Sequence, residues 1–478
     1  MKHFFLSVIC ITASYFGNAQ GFKVSLDAPQ FDAGIAYLIY YYGKNMNVED
    51  SAVVSANGTT VFKKDQKLLP GVYAVVLPGK RLMYDFLVDK EQDLSVTIDT
   101  TDLVHKSTVK GSKENILFQK YQRYAAEQGA LLQKELEGFR TATTKQDSLT
   151  HQQQYAALND KLNDYREQLM RDNPNAMLTV LLAAMKEPKV PEQHPVTHED
   201  SVNNYQYFKK HYWDGISFMD SRIIRTPFFV PKVERYFRQV ISPAPDSVIK
   251  EADYLLLLAR SAPEMYKFLL NWLTDEYINP KYMGQDKVLV HLFEKYHSKG
   301  ISNWLNEKQL EAISNRAYMV MSNLIGEPAA NLEMTNAAGV KTPLYNIKAP
   351  FTVVVFWDPT CGHCRTEVPR LDSIYQASWK KQGVKMYGVL AETHEKEKWT
   401  EFIKEHQLQD WVNVYQTEET RKSVEAANKP SYKQLYDVIQ TPTVYLLDKD
   451  KRIIAKKLTL EQMDDVLKAK VKSAGANQ

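Results

Sequence analysis

The stretch that decides the fold is Phe351 to Leu371, FTVVVFWDPTCGHCRTEVPRL. Its apolar run from Thr352 to Trp357 predicts a buried parallel strand. A turn at Asp358-Pro359-Thr360 leads into Cys361-Gly362-His363-Cys364 and a helical pattern, which Pro369 is expected to kink soon after its start. The two thiols stand three residues apart, at the beginning of a helix that follows a strand. Free N–H groups and the positive end of the helix dipole gather there, and both favour a thiolate. A pair so placed can close into a disulfide and open again.

The chain has 478 residues and three cysteines. Cys10 lies in a segment with the marks of an export signal. Lys2-His3 is positive, Phe4 to Phe16 is apolar but shorter than the ~20 residues of a bilayer span, and Gly17-Asn18-Ala19 offers small residues for cleavage after Ala19. A lipid anchor on Cys10 is disfavoured, because Ile9 precedes it where a small residue belongs. No later stretch is long and apolar enough for a transmembrane helix. Loss of residues 1–19 leaves Cys361 and Cys364 as the thiols of the exported chain. One vicinal pair with no structural disulfide points to exchange, not stapling. A zinc site needs four ligands, and haem attachment needs His after the second cysteine, where Arg365 stands. No metal and no cofactor are therefore expected. The 60 basic and 57 acidic side chains nearly cancel, which gives no support to nucleic acid as the main partner.

Around this centre the chain reads as a multidomain protein. Residues 20–111 carry short β-branched and aromatic runs at 22–27, 35–42, 59–64, 72–77, 82–88 and 94–99. Asn57-Gly58, Pro70-Gly71 and Pro78-Gly79 punctuate them, which predicts an antiparallel β-sandwich. Residues 112–325 turn to helical periodicity, with helices expected over 114–138, 147–170, 202–212, 233–240, 247–260, 262–277, 287–297 and 307–324. This all-α domain is chemically quiet. Arg222, Arg225 and the aromatic cluster from Tyr205 to Trp213 read as packing and solvated charge. His194 and His198 have a helical metal-ligand spacing, but the prolines of 188–198 argue for a loop. Residues 326–478 alternate strand and helix and end in a hairpin, 443–447 with 452–456, which predicts a central mixed sheet in a C-terminal α/β domain.

The active-site stretch, with Phe356-Trp357, Cys361/Cys364 and Glu367-Val368-Pro369, resembles the extracytoplasmic thioredoxin-like oxidoreductases related to the alkyl hydroperoxide reductase/thiol-specific antioxidant group. The resemblance runs from about Gly326 to Val471 and implies the thioredoxin fold. It makes Cys361 the nucleophile on a client disulfide and Cys364 the thiol that resolves the mixed disulfide. It gives His363 a part in tuning the dithiol. The Gly-His pair is that of protein disulfide isomerase, with a potential of about −180 mV against about −270 mV for thioredoxin. It puts the acid of Glu367 under the dithiol, in exchange with the proton of Cys364, since the usual carboxylate position on the strand is Val355. It makes Pro442, in Thr441-Pro442-Thr443, the cis-proline beside the cysteines, and Thr441 and Trp357 client-binding residues. Two departures stand out: Thr360 replaces the tryptophan usual before the first cysteine, and Asp450-Lys451 fills a hairpin turn where Asp-Gly is usual.

These readings point to an exported, periplasmic thiol-disulfide oxidoreductase of a Gram-negative envelope. It would serve protein thiol and disulfide clients, leaning to the reducing or isomerising direction, and be recharged by a membrane or periplasmic electron donor. Two other readings stay open. The chain could be an interaction or scaffold protein with an accessory dithiol. A peroxidase is the third, though Asp358 holds the position where peroxiredoxins place Thr or Ser.

Overall fold

The computed structural model describes residues 21–476 except 32, 81, 193 and 194. The expected leader, residues 1–19 with Cys10, and His194 lie outside the described residues. The chain divides into two compact units, one of residues up to 241 with 259–265, the other of 242–258 with the chain from 266 onward.

In the first unit, strands β1 (Phe22–Asp27), β2 (Gly34–Tyr42), β3 (Asn45–Val54), β4 (Thr59–Lys64), β5 (Gly71–Val76), β6 (Met83–Val88), β7 (Asp93–Thr97) and β8 (Thr108–Lys110) form two four-stranded sheets, β4-β1-β7-β8 and β3-β2-β5-β6. Period-two burial puts Phe22, Val24 and Leu26 of β1 into one core with Leu38, Val75, Phe86 and Val96 from both sheets. The sandwich is not antiparallel throughout, which corrects the expectation: β1 runs parallel to β7. Strand β3 was not foreseen either. It lies at a sheet edge, and of its sequence NMNVEDSAVV only Val54 is buried.

Helices α1 (Lys113–Thr141) and α2 (Lys145–Asp172) follow, capped by Ser112 and Thr144, whose side chains accept from Asn115 N and Asp147 N. The buried Asn115 amide accepts from Leu87 N at 2.8 Å and donates to Leu87 O at 2.6 Å, fastening α1 to β6. Next come α3 (Met177–Met185), α4 (His198–His211) and α5 (Phe229–Arg235), the last running on into a π-helical turn. His198 opens α4 behind a Thr197/Asp200 capping box. Arg222 is held by Asp220, and buried Arg225 by Glu264. Tyr212, Trp213 and Tyr236 meet edge-on or tilted, with centroids 4.8–5.0 Å apart.

The second unit carries helices α6 (Pro245–Leu258), most of α7 (Pro263–Tyr277), α8 (Asp286–Leu292) and α9 (Glu307–Met321). Its sheet is built from β9 (Thr335–Asn336), β10 (Phe351–Trp357), β11 (Lys385–Leu390), β12 (Val412–Tyr415), β13 (Thr443–Asp448) and β14 (Ile453–Lys456), in the order β14-β13-β10-β11-β12-β9. Strands β10, β11 and β12 are parallel, while β13, β14 and β9 pair antiparallel. Between the strands run α10 (Gly362–Ala377), α11 (Lys396–Glu405), α12 (Glu418–Ala426) and α13 (Tyr432–Leu435), and α14 (Leu460–Ala476) closes the chain.

Both faces of β10 are covered. Val353, Val355 and Trp357 join a core with α10 and α14, while Val354 and Phe356 join another with Tyr387, Tyr436 and Tyr445. A strand buried on both sides must read as an unbroken apolar run, and this one does. Helix α13 stops at Leu435, and Asp437 takes a left-handed backbone, φ 46°.

Candidate active site

The ladder between β10 and β13 sets the site. Phe356 pairs with Thr443, so the chain leaving β10 and the chain entering β13 meet at one end of the sheet. Beyond Trp357 the Asp358 carboxylate accepts from Thr360 N and Thr360 Oγ1, both at 2.7 Å. This Asx-type turn delivers Cys361 to the N-cap of α10. Cys361 offers no side-chain cap of its own, so the N–H groups of the first turn stay available to its sulfur.

The two sulfurs are close but unequal. Cys361 is half-buried, and its thiol donates to Thr441 O at 3.3 Å. Burial raises its pKa. Hydrogen bonds from the Thr441 side chain, the Cys364 N–H and thiol, and the His363 N–H outweigh that, and the net shift is downward from 9.0. Cys364 is wholly buried, and Asp358 N donates to its sulfur at 3.5 Å. Burial first, and the neighbouring Cys361 charge as well, push its thiol up to about 12. Both are free thiols. The Thr441–Pro442 peptide is cis, and both residues are partly exposed beside Cys361.

The other expected residues separate. His363 is exposed and contributes its backbone N–H. The Glu367 carboxylate pairs with Arg370 at 2.7 Å, and Arg370 also binds Glu461 at 2.7 Å. Its described hydrogen bond is thus to a guanidinium. Trp357, expected to bind the client, is 0% exposed and packs against Phe402 at 5.1 Å, so it braces the core under the site. Reading the sequence did not single out Arg370 or the Asp358 backbone N–H. Arg370 had a signal, its place three residues after Glu367 on one helix face. The Asp358 contact depends on the turn and had none.

A cavity of about 680 Å³ opens beside Pro442, with Glu367 and Arg370 on one side. Among the described residues no group of three or more His, Cys, Asp or Glu side chains could hold a metal ion, and no helix is long and apolar enough to cross a membrane.

Residues 325–456 match the model of the AhpC/TSA family. The thiol-disulfide oxidoreductase ResA of Bacillus thuringiensis subsp. konkukian (strain 97-27) is 30% identical over 148 residues, which is 30% of this chain and 77% of that protein. The chain belongs to the AhpC/TSA family of thioredoxin-like proteins. Within it, this chain is a thiol-disulfide oxidoreductase. Residues 22–118 and 143–323 of this AhpC/TSA protein match two further models, each described as a domain of unknown function. Among solved structures, a domain of a possible thiol-disulfide isomerase from Cytophaga hutchinsonii is 34% identical over 32% of this chain and 97% of that one, TM-score 0.27. A thioredoxin-like protein from Bacteroides caccae covers 59% of this chain and 98% of its own at 20% identity, TM-score 0.44.

Proposed function

We propose that this protein is exported to the periplasm and exchanges disulfides with protein clients through Cys361 and Cys364, in the reducing or isomerising direction. The Cys361 thiolate attacks one sulfur of a client disulfide. The client S–S bond breaks, and the leaving thiolate takes a proton. Cys364 then gives up its proton and attacks the Cys361 sulfur, which forms the enzyme disulfide and frees the second client thiol. Two electrons and two protons pass to the client. A dithiol or membrane-bound reductant of the envelope restores the pair. Thr441 and Pro442 receive the client strand, and His363, exposed at the helix tip, stands where an imidazole favours the thiolate.

The inequality of the two thiols carries this reading: one is half-open with its pKa lowered, the other sealed with its pKa raised to about 12. Export rests on Lys2-His3, the apolar Phe4 to Phe16 and the small residues before Gln20. The test is a Cys364→Ser variant expressed in its envelope. Client proteins should accumulate as mixed disulfides on Cys361 in the periplasmic fraction. A folded variant that captures none, or a protein found in the cytosol, would refute the corresponding half of the proposal.

A further inference from the structure

The cavity beside Pro442 is not built by the thioredoxin-like domain alone. Asn279, just after α7, and Arg316 of α9 also line it. A second cavity of about 450 Å³ shares Asn279, Arg316, Asp437, Lys457 and Leu458 with it, so the two adjoin along that wall. Both volumes fall in the range of about 300–1,000 Å³ typical of binding sites.

The wall is rigid. Arg316 Nε donates to Ile278 O at 3.1 Å and its Nη1 to Asp437 at 2.7 Å. Asp437 is 1% exposed and also holds Lys457. The charges balance as well. Arg370 lies between Glu367 and Glu461, and Asp437 lies between Arg316 and Lys457. Beside Pro442 the three cations Arg370, Arg316 and Lys457 are all engaged by carboxylates, while the second cavity adds the exposed Lys281. Between these pairs lie Pro442, Val444, Leu458 and Ile439, and Ile439 is 68% exposed on the segment leading to Thr441. Paired charges over an apolar floor suit an extended polypeptide of mixed sequence.

We infer that this groove seats the polypeptide flanking the client's disulfide, and that the helical segment ahead of the thioredoxin-like domain, through Asn279 and Arg316, is one of its walls. The helices thereby select which disulfides reach Cys361. This rests on the proposed oxidoreductase function and adds to it the part of the chain that selects among protein clients.

The test uses the full-length, pre-reduced chain in single-turnover mixing against two probes. One is a disulfide-bridged pair of neutral decapeptides. The other is the small aryl disulfide 5,5′-dithiobis(2-nitrobenzoate). Asn279→Trp fills the groove from an exposed position, in a lining that includes neither cysteine. The ratio of the second-order rate constants, peptide over aryl, should fall about tenfold. Asn279→Arg, read in the same way, guards against a tryptophan that disturbs folding. A ratio within twofold of the parent in folded variants would overturn the inference. A parent chain that reduces neither probe would instead bring down the oxidoreductase reading.

Discussion

The sharpest consequence of the site is that its two cysteines ionise far apart. For Cys364, the rise from 9.0 to about 12 corresponds to about 4 kcal/mol against the thiolate. At pH 7.5 an ordinary thiol is ionised at the level of a few per cent, and Cys364 would be about a thousandfold less so. Cys361 is displaced the other way. Two single-cysteine variants separate them: Cys364→Ser keeps Cys361, and Cys361→Ser keeps Cys364. Removing Cys361 also removes its charge, but burial is the largest cause of the Cys364 shift and stays. Each variant is alkylated with iodoacetamide from pH 5 to 11. Accessibility scales the rate at every pH, whereas ionisation sets where the rate stops rising. The log rate for Cys361 should level off below pH 9. For Cys364 it should keep climbing, with a slope near one, past pH 10. Plateaus at the same pH would refute the assignment of nucleophile and resolving thiol.

Three further outcomes follow from the same structure. Glu367→Gln should slow resolution of the mixed disulfide by less than about threefold, because the carboxylate is half-exposed and engaged with Arg370; a tenfold loss in quenched-flow trapping would make Glu367 the proton acceptor instead. His297 is 1% exposed between Thr274 and Ser302, and burial lowers its pKa to about 4. The unfolded chain takes that proton first, near pH 6.5, so this stability is intact above pH 6.5 and is lost towards pH 4, by about 2 kcal/mol at pH 5; urea unfolding at pH 7 and 5 should show a smaller difference in His297→Gln, and an equal one refutes the assignment. Asp286→Ala strips buried Lys456 of its carboxylate partner and should cost about 3–5 kcal/mol in urea unfolding, much of it recovered by adding Lys456→Met; full additivity of the two would refute the coupling.

Legibility in the sequence tracked how local the physics was. The strand of Phe351 to Trp357 was readable because burial on both faces demands a continuous apolar run. The dithiol was readable because two cysteines three apart need no tertiary information. Strand β3 escaped because an edge strand with exposed side chains has no apolar period. Helix α12 escaped for a similar reason: EETRKSVEA buries nothing, and Arg421 with Glu418 and Glu425 stabilises it through surface pairs. The parallel pairing of β1 with β7 is a matter of topology that short strands do not announce. The burial of Trp357 was not legible because its neighbours in sequence are at the active site, while its side chain joins the core under the turn.

The least legible feature ties the catalytic sheet to the helices before it. Lys456 ends β14, the sheet's edge strand, where a lysine ordinarily sits in solvent and discourages stray pairing. Here its ammonium is 6% exposed and is claimed by Asp286 of α8 and by both the backbone and the side chain of Asn323 after α9. Burial lowers its pKa, and the Asp286 charge opposes that shift. Such a pair is weak evidence for net stability, since desolvation offsets most of the attraction. It is stronger evidence for one geometry, because sliding α8 or α9 along the sheet would leave a buried charge unpaired. Arg316 and Lys457, meeting on buried Asp437, impose the same condition a few residues away. These two charge locks hold α8 and Arg316 of α9 against the catalytic sheet, and with them the wall of the cavity beside Pro442.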